Sequence, residues 1–197
     1  GKEAMGAKNL TLHCSESFAT LIGNNPPWHE LKKQEVVKPN TWVSNESFEP
    51  SSGCGFTINP IPVPHRDELS DNHALLIEGP GCNLLFLPDH DSWSQTLSGS
   101  TIRQWLTELK VDIALLDGTF WDVDELPHRD MSDIPHPTVR ESLELLGERK
   151  EGDPEILFLH LNHTNPLCNP ASTEAAKLSS MGWAIASEGD SFTLERL

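Results

Sequence analysis

Apolar and polar residues alternate in some stretches of this chain and run together in others, and the contrast sorts its elements. Residues 55–63 alternate through Phe56, Ile58, Ile61 and Val63, the two-residue period of a half-buried strand. Pro60, Pro62 and Pro64 confine that strand to an edge or a bulge, because proline donates nothing to a ladder. Residues 73–78 and 84–87 flank Gly79-Pro80-Gly81-Cys82-Asn83, a hairpin connection. Residues 111–116, where Ile113, Ala114, Leu115 and Leu116 run without alternation, and residues 156–161, with the apolar run Ile156 to Leu159, read as strands covered on both faces. Shorter strands are predicted at residues 9–13, 183–187 and 191–194, with one or two edge strands in 38–52.

Helical spacing runs through Ile102, Trp105, Leu106 and Leu109, and through Val139, Leu143 and Leu146, predicting helices over residues 101–109 and 137–146. Ser15 can cap a helix over 16–22, which Asn24-Asn25-Pro26-Pro27 stops. Residues 28–34 add a turn or two, and 172–181 form a short helix ended by Gly182. Residues 1–6 read as a helix tail with Gly6 near its C-cap. Early strands pair as hairpins and later ones alternate with helices, which predicts a mixed α/β sheet with helices outside it. There is no repeat and no linker, so residues 1–197 read as a single domain.

The formal charge of −16, with only 14 Lys and Arg in 197 residues, argues against a nucleic-acid surface. Cys14, Cys54, Cys82 and Cys168 form no CxxC pair, so free thiols in a cytoplasmic protein are expected rather than a zinc ribbon. No apolar run approaches the roughly 20 residues that span a bilayer, and no signal peptide is recognisable.

The candidate chemistry lies just beyond the strands. Residues 55–63 lead to Pro64-His65-Arg66-Asp67, residues 84–87 to Pro88-Asp89-His90-Asp91, and residues 156–159 to His160-Leu161-Asn162-His163-Thr164-Asn165-Pro166. Strand ends that release polar groups into a crevice are where α/β proteins build sites. Three such ends rich in imidazole and carboxylate suggest one shared metal site, with Asp91 competing with Asp89 and His163 with His160. Asp117 closes a fourth apolar run, where an unpaired carboxylate is costly, and His136 precedes Pro137, which suits a first helical turn. His73, His90 and His128 read as solvated loop histidines. Trp121, near Asp117, is a candidate pocket wall.

Together with Asp71-Asn72-His73, Leu115-Leu116-Asp117-Gly118-Thr119-Phe120-Trp121 and Ser132-Asp133-Ile134-Pro135-His136-Pro137, these segments resemble the metallo-β-lactamase superfamily. Within it, Asp-Gly-Thr-Phe-Trp and His-x-Asn-x-Thr-Asn-Pro are most similar to the pyrroloquinoline-quinone biosynthesis protein B group. The resemblance implies an αββα sandwich and an enzyme, a hydrolase or oxygenase, acting on a small molecule. It implies His65, Asp89 and His160 as ligands of Zn2+ or Fe2+, in a centre that is dinuclear in the full-length protein. By the same resemblance, Asp117 and His136 are a proton-transferring pair. Asp67, Asp71, Asn162, His163 and Thr164 are candidates to orient the ligands.

The superfamily's His-x-His-x-Asp-His motif is absent from residues 1–197 and would sit just upstream of Gly1, so an N-terminally truncated fold is expected. The alternative is a catalytically incomplete or metal-free protein of the same fold that serves as a binding or partner subunit. Its exposed sheet edge would need a partner chain, and a homodimer is one form of that.

Overall fold

The computed structural model describes residues 6–126, 128 and 134–195. The expected helix tail at residues 1–5 lies outside them; Gly6 has the positive φ of +57° typical of a C-cap glycine. The chain opens with β1 (Leu10–Cys14), α1 (Glu16–Asn24), α2 (Pro26–Lys33) and β2 (Val37–Thr41). Ser15 caps α1 by accepting from the Phe18 N–H, and Pro26 and Pro27 open α2, where a missing N–H costs nothing. β1 and β2 pair in parallel as a two-stranded sheet.

A six-stranded sheet follows in the order β3 (Thr57–Val63), β4 (Asn72–Glu78), β5 (Asn83–Leu87), β6 (Ile113–Asp117), β7 (Glu155–Leu159) and β8 (Ala184–Ile185). The proline-rich β3 takes the edge position, as its missing donors require. β3, β4 and β5 are antiparallel neighbours, and β5 through β8 are parallel. The connections carry α3 (Trp93–Leu97), α4 (Ile102–Glu108), α5 (Val139–Leu146) and α6 (Thr173–Ser180).

Alternate residues of the central strands divide between two faces. Leu85, Leu87, Ala114, Leu116, Ile156 and Phe158 pack with Trp93, Ile102, Leu106, Val139, Leu143 and Leu178 of the helices. Leu84, Leu115 and Leu157 face the other way, against Phe192 and Leu194 of the C-terminal segment. Both faces are covered, which is why these strands read as unbroken apolar runs.

Three expectations shift. Residues 191–194 form no strand; the Leu194 carbonyl instead accepts from the Gly81 and Cys82 N–H groups. The helix predicted from residue 137 starts at Val139 because Thr138 stays extended and caps it, accepting from the Glu141 N–H. His136 therefore precedes the helix. The strand predicted to reach residue 161 stops at Leu159 because His160 turns into the left-handed region at φ +63°. Helix α3 was not predicted; five residues are too short to show a helical period. The four thiols are free, and among the described residues no helix is long and apolar enough to cross a membrane.

Candidate metal centre

Two antiparallel steps followed by parallel ones leave β3, β5, β6 and β7 pointing the same way. Their C-terminal ends meet at one sheet edge. His65 lies two residues past β3, Asp89 two past β5, Asp117 is the last residue of β6, and His160 directly follows β7. Asn72, the first residue of the opposed β4, reaches the same edge and donates from Nδ2 to the Asp89 carbonyl at 2.9 Å. His136 is brought in by the start of α5, where the Val139 N–H donates to the Phe120 carbonyl at 2.8 Å.

The Asp-Gly-Thr and Thr-Asn-Pro segments are two halves of one clamp. Gly118 lies so close to β7 that a Cβ there would meet the Leu159 carbonyl at 2.8 Å, so no larger residue fits without movement. Its N–H donates to that same carbonyl at 2.9 Å. The buried Asn165 donates from Nδ2 to the carbonyls of Gly118 (2.8 Å) and Thr119 (3.3 Å), and its Oδ1 accepts from the Leu167 N–H. The ends of β6 and β7 are thereby held together.

Within the cluster His65 stands between two carboxylates, Nδ1 at 3.0 Å from Asp91 Oδ1 and Nε2 at 3.2 Å from Asp89 Oδ2. His136 Nδ1 lies 2.9 Å from Asp117 Oδ2 and 3.3 Å from Asp89 Oδ1. That nitrogen has one hydrogen, and the shorter contact takes it. Asp89 Oδ1 is consequently buried without a hydrogen-bond partner. The His136 ring centroid is 5.8 Å from that of His65 and 6.4 Å from that of His160. His160 is exposed, and its Nδ1 lies 3.0 Å from Thr119 Oγ1.

Asp117 is fully buried and its carboxylate takes four donors. Oδ1 accepts from the Thr119 N–H and hydroxyl, and Oδ2 from the His90 N–H and His136. Burial pushes its carboxyl up, but the bonds from His136 and Thr119 outweigh burial and hold it below the ordinary value. For His136, burial pulls down while the Asp117 hydrogen bond and the charges of Asp117, Asp89 and Asp91 push up. The net direction is up.

Asp89, Asp117 and His136 each offer a ligand atom within 4.8 Å of the others. With both oxygens saturated, Asp117 is a poor ligand and a good orienting group. The partnerless Asp89 oxygen, and the carboxylate facing His65 Nε2, are what a cation would satisfy: a lone pair and a carboxylate at 3.2 Å repel unless a proton or metal lies with them. Among the described residues, the set whose ligand atoms lie within 4.8 Å of one another is Asp89, Asp117 and His136 rather than His65, Asp89 and His160; imidazole and carboxylate donors of this kind suit zinc or iron.

The structure therefore brings together all five residues assigned metal or catalytic roles from sequence. It does not gather the five expected orienting residues. Asp67 is exposed and bonds to nothing among the described residues. Asp71 is exposed, bonds to Ser15 and lines a cavity of about 230 Å³ behind β4 with Cys14, Trp42 and His73. Asn162, His163 and Thr164 bond to one another, and Thr164 donates to Glu125, so they fix their own loop. The groups that touch the imidazoles are Asp91, Asp117 and Thr119. Asp91, read from sequence as a rival to Asp89 for the ligand position, instead pairs with His65 Nδ1; Thr119 lies two residues beyond Asp117, the only sequence signal it carries. Two solvated histidines are corrected: His90 is fully buried beneath Trp93, and His73 Nε2 is half-buried, 2.8 Å from Ser44 Oγ. Trp121 does line a cavity, one of about 300 Å³ shared with Arg140, Glu144 and Lys177, whose Nζ is 5.9 Å from the ring centroid.

Residues 2–161 match the family described as beta-lactamase superfamily domain. Coenzyme PQQ synthesis protein B of Xanthomonas axonopodis pv. citri (strain 306) is 24% identical over 212 residues, covering 93% of this chain and 64% of that protein. The protein of the same name from Methylorubrum extorquens (strain PA1) is 25% identical, with 91% and 63% covered. The chain thus spans a little under two thirds of the length of these relatives. The crystal structure of Zn(2+)-bound PqqB from Methylobacterium extorquens superposes with a TM-score of 0.67 at 23% identity, over 91% of this chain and 61% of that one. The metallo-beta-lactamase fold protein YhfI from Bacillus subtilis gives 0.61 at 14% identity, over 96% and 67%.

Proposed function

Since the chain belongs to the beta-lactamase superfamily, we propose that the strand-end cluster is the metal centre of an enzyme acting on a small molecule. His65, Asp89 and His160 would hold zinc or ferrous iron, and a bound ion supplies Lewis acidity toward a polar group of the substrate. His136 is the proton carrier. Asp117 holds its Nδ1–H and raises its affinity for a second proton, so Nε2 can give a proton to a leaving group or take one near neutral pH. The name carried by the relatives supports a place on the way to pyrroloquinoline quinone; hydrolysis or oxygenation is the chemistry proposed for that step.

One observation carries this reading: the buried, partnerless Oδ1 of Asp89, a carboxylate that faces the imidazoles of His65 and His136. Calorimetric zinc titration of the chain tests it and reads one ion against two. Asp89→Asn and His160→Ala should each weaken binding by more than the roughly 10- to 100-fold that orienting residues contribute. Failure of the unaltered chain to bind, or binding indifferent to both substitutions, would overturn it. The first result would favour the second reading, a metal-free protein of this fold acting through a partner. The cluster's internal bonding, with both oxygens of Asp117 saturated and His65 Nδ1 set against Asp91, is the observation that supports it.

A further inference from the structure

Thr119 is buried and lies between two groups of the cluster, its Oγ1 2.7 Å from Asp117 Oδ1 and 3.0 Å from His160 Nδ1. A hydroxyl has one hydrogen to give. An ionised carboxylate can only accept, and Asp117 is kept ionised by its four donors, so the hydrogen goes to Asp117. Toward His160 the same oxygen must then accept, which puts a hydrogen on His160 Nδ1. The other oxygen of Asp117 accepts from His136 Nδ1 at 2.9 Å, so that ring carries its hydrogen on the same nitrogen.

We propose that Thr119 is a positioning residue that, with Asp117, holds His160 and His136 in the Nδ1–H tautomer and presents both Nε2 lone pairs as acceptors. One buried carboxylate thereby sets two rings, one directly and one through a hydroxyl. The relay has little freedom to drift. The Thr119 carbonyl accepts from the Asn162 N–H at 2.9 Å and from Asn165 Nδ2 at 3.3 Å, and Gly118 is tied to Leu159 as described. The left-handed backbone at His160, uncommon for a residue with a Cβ, is the conformation from which its ring reaches Thr119. Strain of this kind persists where the surroundings enforce it.

The tautomers stand on the hydrogen bonds alone; only the use of the Nε2 lone pairs on His160 as a ligand rests on the proposed metal centre. The test is long-range nitrogen–proton correlation NMR of the metal-free chain with labelled histidine, at an alkaline pH where the imidazoles are neutral, followed by zinc titration. His136 and His160 should both show the Nδ1–H pattern. Thr119→Val should return His160 to the Nε2–H form, leave His136 unchanged and lower zinc affinity about 10- to 100-fold. Thr119→Ser should restore both properties, which a merely structural loss would not do, and the dispersion of the spectra reports folding of each variant. A His160 in the Nε2–H form in the unaltered chain, or one indifferent to Thr119→Val, would overturn the proposal. The expected tautomers without zinc binding would leave the relay intact and remove the metal centre instead.

Discussion

His90 makes the acid limit of this fold calculable. It is fully buried, its ring is edge-on to Trp93 with centroids 4.5 Å apart, its Nδ1 is 2.9 Å from Thr96 Oγ1, and its Nε2 has no partner. A second proton would therefore place an unpaired charged N–H in an apolar pocket. Burial lowers its pKa from 6.5 to about 4, with His136 and His65 adding to the effect and Asp117 and Asp91 opposing it. Because the folded value is depressed, stability is intact above the unfolded value near 6.5. It declines as pH falls through the gap, and the whole contribution is gone below about 4. That gap corresponds to about 3 kcal/mol.

Between roughly pH 7 and pH 4.5 the unaltered chain should lose about 2 kcal/mol more than His90→Gln, which cannot titrate. Urea unfolding at the two pH values reads this directly, with a chelator present so that metal release does not enter. At a slope of about 2 kcal/mol per molar urea, the difference between their midpoints should shift by about 1 M. Other acidic groups are common to both proteins and cancel. Parallel pH profiles would show that His90 is not held neutral, and the burial argument would be wrong.

Asp117→Asn turns one acceptor into a donor facing donors, so it should cost about 2–4 kcal/mol in urea unfolding, well beyond an exposed Asp→Asn. Gly118→Ala should cost about 1–3 kcal/mol by pushing β6 off β7, visible as a lowered melting temperature. Arg103 forks onto Asp153 at 2.8 and 2.9 Å and also donates to the Glu148 carbonyl. The Asp153 carboxyl is held down chiefly by that hydrogen bond, so the pair's stabilisation is present above the ordinary carboxylate value and fades as pH falls through the lowered one. Asp153→Asn should cost about 1 kcal/mol near neutral pH, and the difference should vanish in strong acid on a pH series of unfolding curves.

The strands were legible because apolar runs end abruptly in polar residues, and the same boundaries exposed His65, Asp89, Asp117 and His160. What joins them was not. Asp91 acts across from β5 to the end of β3, and Thr119 from β6 to the end of β7, contacts that no spacing within one segment encodes. His90, flanked by two aspartates, has the local look of a loop residue; only the placement of the five-residue helix α3 buries it. Asn162, His163 and Thr164 looked like orienting groups by proximity to His160, yet their side chains bond to one another and, through Thr164, to Glu125. The expectation of solvent at His73 failed similarly, since Ser44 arrives from 29 residues away.

That the ends of four co-directional strands carry the cluster has a consequence for how the protein comes apart. Spacing between its donors is set by hydrogen-bond ladders about 4.8 Å apart, and β5, β6 and β7 are the most enclosed part of the chain. Such elements open only with the whole molecule, whereas sites on loops loosen by local fluctuation. The donors at these strand ends accordingly have no melting point of their own. Their spacing persists until the sheet fails and is lost in the same event.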